Sequence, residues 1–482
     1  LKLVEKVASQ PQQTVHPVFH GWEQKDEQAY HAWMEGVLAD TLTHPEKDER
    51  TWEEWVNRLL ISPWTGFPIL ALLMGAIFWC TFAIGDPIGE WMGQGIDRLH
   101  EWCETSIPQG WVNSLVANGV ILGVGSLLTA LPNIIILFFF LSVMEDTGYL
   151  ARVAFLMDGL MHRIGLHGRS FIPMLMGFDC NVPAIIAARD IQNPKDRTLT
   201  MLMVPFMSCS ARLPVYMLLV SAFFDLKYRA FIIMGLYLVG IVLSIVYALI
   251  LKRTRWFRQK NDDFVSELPP YRKPTFRNTG AHIWERTLDY LQKIATVILW
   301  TSVIIWALEY FPRNKELIQP IQQQILTVQH DPSLTPEEQT FQVAQLQQEA
   351  VYIQNEHSYL ASVGRFVEPV IRPLGFDWRI GVCLITGLPA KEAIISTMGI
   401  LYHVDSDDDA SVVAALRHSP NMNPLVAIAF MLFVMLYFPC IATLATMRRE
   451  IGNRWTTFSL VSSMVLAWLV AFVVFQLGSL IM

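Results

Sequence analysis

Two stretches in the middle of this chain place prolines, thiols, hydroxyls and an amide inside sequence as apolar as a bilayer. They are Gly177-Phe178-Asp179-Cys180-Asn181-Val182-Pro183-Ala184 and Pro205-Phe206-Met207-Ser208-Cys209-Ser210-Ala211-Arg212-Leu213-Pro214. Proline removes a backbone donor and breaks a helix. In lipid every backbone polar group must be satisfied within the protein, so broken backbone at that depth lies against protein or around a cavity. The expected fold is therefore an all-α polytopic membrane protein whose helices break around a transport pathway. Composition agrees: 52% of residues are hydrophobic and 16% charged, with a mean hydropathy of +0.34, unlike a soluble domain. The net charge of -7 matters less than where the charges sit.

The six cysteines (Cys80, Cys103, Cys180, Cys209, Cys383 and Cys440) form no CxxC pair, which argues against a zinc ribbon or a redox dithiol. The N-terminus Leu1-Lys2-Leu3-Val4-Glu5-Lys6 shows no signal-peptide core and no initiating Met, as expected of a fragment or a processed chain.

Residues 1–60 read as soluble, with amphipathic helices at Gln24–Leu42 and Thr51–Leu60 broken at His44-Pro45. Spans are expected at Trp64–Ile84, Asn118–Val143, Leu199–Phe224, Ala230–Leu251, Leu288–Leu308, Leu425–Thr446 and Phe458–Leu480, which gives seven crossings. Asp86–Ala117 is polar and aromatic and reads as an external segment. Phe171–Ala188 and Ile380–Leu401 each carry a central proline and read as re-entrant hairpins.

The chain also repeats itself. Tyr149-Leu150-Ala151 recurs as Tyr359-Leu360-Ala361, Asn181-Val182-Pro183-Ala184 as Gly387-Leu388-Pro389-Ala390, and Val204-Pro205-Phe206 as Phe438-Pro439-Cys440. Each half reads as span, in-plane helix, hairpin, broken span, span. Lys and Arg mark 189–197, 252–286 and 448–454 as cytoplasmic. The Gln-rich 314–357 and the acidic Asp405–Asp409 should lie outside. Threaded this way, the repeats are inverted, which is a transporter signature.

A soft thiolate suits Cu(I), Zn(II) or Fe(II), and mixed sulfur and oxygen ligation suits a borderline metal that must also leave. Cys180 and Cys209 are thus the leading metal ligands, with Asn181, Ser208 and Ser210 adding oxygens. Asp179, Asp146, Thr386, Glu392 and Cys440 complete the candidate pathway. The bland alternative treats each Cys as a small buried hydrophobe, and Met174, Met176, Met201, Met203 and Met207 as packing. Lys391-Glu392 reads equally as a structural pair. Glu145-Asp146 also fits an interfacial loop, and His162 and His167 an interface. Arg212 is expected to pair with a carboxylate and hold the broken helix. Asn193-Pro194-Lys195-Asp196 faintly resembles a guanine-reading motif, but without a GxxxxGK[ST] loop it has no nucleotide to read.

The motifs Cys180-Asn181-Val182-Pro183-Ala184, Ser208-Cys209-Ser210-Ala211-Arg212-Leu213-Pro214 and Ala390-Lys391-Glu392 with Ile394-Ile395-Ser396-Thr397 resemble the membrane domain of bacterial ferrous iron transport protein B. The resemblance runs from about Gln28 to the C-terminus. It implies a multi-pass protein of the bacterial inner membrane that carries Fe(II) into the cytoplasm as its substrate. It implies two "gate" repeats related to nucleoside-transporter elements, and puts Cys180 and Cys209 on the family's motif cysteines. The family's GTPase domain has no counterpart here. GTP is expected to act only through an absent or separate G domain, as a GTPase domain or subunit, alongside small accessory proteins. No nucleic acid is implied, and a homo-oligomer stays open. In the second repeat Thr386-Gly387 fall where Cys180-Asn181 stand in the first.

The expected organisation is a cytoplasmic helical remnant at 1–60, one extra transmembrane helix and an external segment at 61–116, and gate repeat 1 at 117–252. A basic linker comes next at 253–285, then gate repeat 2 at 286–482 with an external insert at 312–357. The function expected is Fe(II) permeation rather than enzyme catalysis. Two rivals are a nucleoside-type or other small-solute carrier, and a non-transporting membrane scaffold that docks a soluble G protein.

Overall fold

The computed structural model describes residues 52–108, 110–257, 271, 276–313, 315–329, 336–402, 409–419 and 422–481. The helix expected at Gln24–Leu42, most of the basic linker and the acidic residues Asp405–Asp408 lie outside these. The chain divides into two units, Leu1–Val56 and Asn57–Met482, and the second holds all of the long apolar helices. All regular structure among the described residues is helical.

Among the described residues six helices are long and apolar enough to cross a membrane: Pro63–Ser106, Trp111–Asp146, Pro194–Phe223, Leu226–Arg253, Thr279–Tyr310 and Pro424–Leu480. The last holds two of the expected spans. It is interrupted after Leu436, and again at Gly452, whose φ of 78° and ψ of 170° are not helical. The first is longer than expected. Pro63–Cys80 continues through a π-turn at Thr81–Gly85 into a helix over Asp86–Ser106, so the polar segment read as external is helical there. Its register is fixed by contact: Asn133 Nδ2 donates to Asp86 Oδ1 at 2.8 Å, and Gly89 leaves room for the Thr129 carbonyl.

The two halves carry the same elements. After the helix ending at Asp146, an amphipathic helix runs over Tyr149–Ile164 where the in-plane helix was expected. The first hairpin has arms Phe171–Met176 and Asn181–Ala187. The first broken span has arms Pro194–Met203 and Leu213–Phe223, and Leu226–Arg253 closes the half. In the second half, Phe276–Tyr310 leads through helices Lys315–Gln329 and Pro336–Glu356 to the corresponding helix at Tyr359–Ile371. The second hairpin has arms Trp378–Thr386 and Ala393–Leu401, and the second broken span has arms Pro424–Leu436 and Ile441–Ile481.

Helix-end hydrogen bonds fix how the hairpins superpose. Gly177 N donates to Pro173 O and Phe178 N to Leu175 O; Gly387 N donates to Cys383 O and Leu388 N to Ile385 O. The same pattern of bonds puts Gly177 opposite Gly387. The sequence pairing of Asn181 with Gly387 is therefore out of register. Ala390-Lys391, not Thr386-Gly387, stands opposite Cys180-Asn181.

The closing span Leu226–Arg253 shows how one helix serves lipid and protein together. Phe231, Met234, Leu238 and Val242 are exposed on one side, as lipid contact requires. Gly240, Ser244 and Ala248 are buried on the other, at helical spacing. Small residues let the backbone reach the first break: Ser244 Oγ lies 3.5 Å from Met203 O, and a Cβ on Gly240 would stand 3.0 Å from Phe206 O. A Gly240→Leu substitution should therefore destabilise the protein by about 1–3 kcal/mol through overpacking. Gly235→Leu, where a Cβ meets nothing within 4 Å, should be close to neutral. Thermal unfolding of both variants in detergent checks the contrast.

Candidate functional site

Each broken span frees carbonyls that a continuous helix would have used. In the first, Pro205 cannot donate to its helix, and the backbone turns extended at Met207 (ψ 124°) and Cys209 (ψ 159°). It regains helix at Leu213, with Pro214 in the first turn. In the second, Tyr437 is extended (ψ 167°) and helix resumes at Ile441, beyond Pro439.

The hairpins answer the freed carbonyls. With its amide oriented by its neighbours, Asn181 donates to Gly177 O at 3.1 Å and to Val204 O at 3.2 Å. Lys391 Nζ donates to Phe438 O at 3.2 Å. Asn181 opens the second arm of the first hairpin, Lys391 lies in the turn two residues before the second arm of the second, and both reach the carbonyl that precedes a proline in the break of their own half. A second stitch also recurs. Ser210 N donates to Asp179 O at 3.2 Å, and Ile441 N to Leu388 O at 3.0 Å. Ser210 Oγ adds a bond to Asp179 O at 3.0 Å.

Arg212 answers the rest of the first break. It is fully buried, and its guanidinium donates to Pro205 O at 3.4 Å and Met207 O at 3.5 Å. The acceptors are carbonyls, not the expected carboxylate. Ser208 Oγ is 3.0 Å from the Tyr216 hydroxyl, and Cys440 Sγ is 3.2 Å from Thr443 Oγ1.

Each stitch stays within one half; the halves meet by packing, with Cys180 and Cys440 set against one buried cluster that includes Val182 and Ala442. Cys180 lies within electrostatic reach of Cys209, Cys440 and Asp179, and Cys209 within reach of Cys440, Arg212 and Lys391. Three thiols from the two halves thus share one neighbourhood. Asp86 acts on both Asp179 and Glu392, and Tyr290 lies within reach of Cys180, Cys440 and Glu392. Among the described residues no three His, Cys, Asp or Glu side chains converge to hold a metal ion. What the region offers is thiols and carboxyls within electrostatic reach of one another, not a converged ligand set.

Other candidates take structural partners. Asp146 accepts from Thr279 Oγ1 at 2.8 Å, and Thr386 Oγ1 donates to Cys383 O while accepting from Thr397 across the hairpin. His167 Nδ1 accepts from Arg169 N, capping a turn. Met174, Met176, Met201, Met203 and Met207 are packed in the core. Asp86 was not a sequence candidate, because its segment read as external; the signal was a carboxylate between Ile84-Gly85 and Pro87-Ile88, at the edge of an apolar run.

A cavity of about 550 Å³ lies beside the first hairpin, bounded by Pro183, Ile186 and Ala187 and by Glu145, Arg189, Asp190 and Arg286. Arg189 makes a two-pronged ion pair with Glu450, and Arg286 Nη2 meets Glu145 Oε2 at 2.8 Å. Burial, with the Glu145 charge, pushes the Asp190 carboxyl above its ordinary pKa, against the pull of Arg286, Arg169 and Arg189.

Comparison with known proteins matches two families. A "Gate" family described as nucleoside recognition covers residues 127–223 and 291–454. A family described as the ferrous iron transport protein B C terminus covers 233–286. The chain is 41% identical to an Fe(2+) transport protein A/Fe(2+) transporter FeoB fusion protein of Porphyromonas gingivalis, across 93% of this chain and 54% of that protein. It is 36% identical to the Fe(2+) transporter FeoB of Campylobacter jejuni, across 92% of this chain and 68% of that protein. It is 35% identical to that of Staphylococcus aureus, across 93% of this chain and 62% of that protein. The chain thus spans roughly half to two thirds of the length of these relatives. No solved structure matches.

Arg212 is the strongest test of the stitching. Arg212→Met should lower stability by about 3 kcal/mol, because buried carbonyls lose charged donors. Ser208→Ala, which removes one neutral bond, should cost only about 1 kcal/mol. Denaturant or thermal unfolding in detergent reads both.

Proposed function

We propose that this chain, which belongs to the FeoB family of Fe(2+) transporters, is the conduit through which Fe(II) crosses the bacterial inner membrane into the cytoplasm. The observation that carries the reading is that Cys180 at the first hairpin and Cys440 in the second break pack on one buried cluster, with Cys209 of the first break within electrostatic reach of both.

Fe(II) is a borderline metal, and thiolates favour it over the hard cations Mg(II) and Ca(II). An ion arriving in its water shell meets the carboxylates of Asp86, Asp179 and Glu392, which neutralise charge, and thiols that replace part of the shell. Asn181 and Ser210 use their donors to hold backbone, Ser208 shares a hydrogen bond with the Tyr216 hydroxyl, and the oxygens of all three keep lone pairs for a metal. The loose spacing of these groups supports transport over storage, since conduction needs binding weak enough for the ion to leave. The cavity beside the first hairpin is suited to be the exit vestibule. Its Arg189–Glu450 and Arg286–Glu145 pairs tie neighbouring elements, and parting them would widen it.

GTP would act through a G domain or subunit outside this sequence. The relative that joins transport protein A to FeoB supports small accessory proteins as partners. The Gate description keeps a nucleoside-type carrier as the second reading. The thiols favour a metal over a ribose, which hydrogen-bonding side chains alone would serve.

Anaerobic Fe(II) uptake into proteoliposomes tests the reading. Uptake should exceed that of protein-free vesicles, fall at least about tenfold in Cys209→Ala, and be insensitive to uridine. Full activity in a Cys180→Ala/Cys209→Ala variant would sink the ligand assignment, and competition by uridine would favour the organic carrier.

A further inference from the structure

We infer that a small pocket between Glu309 and the second hairpin is the outer mouth of the crossing, where a hydrated divalent cation is taken up on Glu309. It is shut in this structure while its counterpart in the first half stands open, and the two exchange. The inference rests on the reading of the first cavity as the exit.

The two cavities are built from corresponding residues. Gly148, Leu150, Ile172, Ala187 and Ile191 line the large one. Ser358, Leu360, Val382, Thr397 and Leu401 line the small one. The members of each pair stand equally far along the chain from the matched Tyr149 and Tyr359, and from the matched Gly177 and Gly387. The helices ending at Asp146 and Tyr310 each give their penultimate residue to a cavity, Glu145 to the large one and Glu309 to the small one. The insert ahead of Tyr359 does not disturb this match, because Tyr359 N donates back to Phe311 O at 2.8 Å.

A single helix shows that the cavities face opposite sides. Phe276–Tyr310 lines the large one with Glu285, Arg286 and Asp289 near its start and the small one with Glu309 at its end. From Arg286 to Glu309 is about 35 Å at a helical rise of ~1.5 Å per residue, enough to cross a hydrocarbon core. Arg169, Arg189 and Arg286 mark the large cavity as cytoplasmic. Among the described residues no Lys or Arg lines the small one.

The cavities differ in volume, about 550 Å³ against about 10 Å³, the latter room for one water at most. Gly364 stands where the first half has Ala154, and it lets the helix Tyr359–Ile371 close on the hairpin: a Cβ there would lie 2.7 Å from Val382 Cγ2. Inverted repeats that rock about a shared site open one side as they close the other. Opened to water, the outer mouth presents the Glu309 carboxylate with the oxygens of Asn355 and Thr397, a set suited to a hydrated divalent cation. At the other end Arg286 holds Glu145 at 2.8 Å, which favours release there.

Thiol labelling of the full chain in intact cells tests this. Ser358 is buried in this structure, with 1% of its surface exposed. Ser358→Cys should nevertheless react with a membrane-impermeant thiol reagent added outside, above the level of the native cysteines. Ala187→Trp puts a bulky ring on the wall of the cytoplasmic cavity and hinders its closure. Added to Ser358→Cys, it should slow outside labelling at least about tenfold; Ala187→Phe is the smaller wedge if tryptophan prevents folding. Glu309→Gln should raise the half-saturating Fe(II) concentration for uptake at least about fivefold and leave Ser358→Cys labelling unchanged. No labelling of Ser358→Cys in a chain that carries Fe(II) overturns the mouth. Labelling unchanged by both folded wedges overturns the exchange, and an unchanged half-saturation in Glu309→Gln overturns the cation site. Labelling as expected in a chain that carries no Fe(II) upholds the exchange and overturns the iron reading alone.

Discussion

A helix that breaks inside a membrane leaves carbonyl oxygens with no water to meet them, and the rest of this structure is arranged around supplying their donors. Pro205 and Met207 in the first break, and Phe438 in the second, present such oxygens. Arg212 and Lys391 reach them, and Asn181 adds a second donor to Val204 O, which Met207 N already meets. The donors sit on hairpins, or just beyond the breaks, because only re-entrant segments bring side chains to that depth without crossing. The closing span Leu226–Arg253 offers Gly240, Ser244 and Ala248 so that nothing holds it off the first break. The hydrogen bonds hold each hairpin to the break of its own half, and packing of the two halves sets Cys180 and Cys440 against one buried cluster.

The two halves share this scaffold and divide its chemistry. Gly177 and Gly387 end corresponding helices, and a tip carbonyl in each hairpin receives the N–H that restarts the broken span. On that common frame the first half places two thiols and a neutral Asn181. The second places one thiol, Cys440, and Lys391, whose Nζ donates to Phe438 O.

Much of this was legible in the sequence because prolines, cysteines and serines in apolar runs have few structural excuses. Pro183, Pro205 and Pro214 located the hairpin and the break, and Cys180 and Cys209 located the thiols. The helices Tyr149–Ile164 and Tyr359–Ile371 were legible from their recurring Tyr-Leu-Ala starts. Three things were not. Asp86 was hidden because the helix carrying it is polar enough to read as a loop, while its packing depends on a π-turn and on Asn133. The repeat register was misread because proline identity aligned Pro183 with Pro389, whereas helix-end hydrogen bonds align Gly177 with Gly387. Arg212 suggested a carboxylate partner because charges usually seek charges, and no sequence pattern shows how many carbonyls a break leaves bare.

The most direct test of a thiol-lined crossing is the iron K-edge absorption spectrum of the protein loaded anaerobically with Fe(II). Sulfur from both halves should appear in the iron's first shell, with its contribution reduced in Cys440→Ala as well as in Cys209→Ala. A shell of oxygen and nitrogen alone, unchanged when Cys180, Cys209 and Cys440 are all replaced, would contradict it.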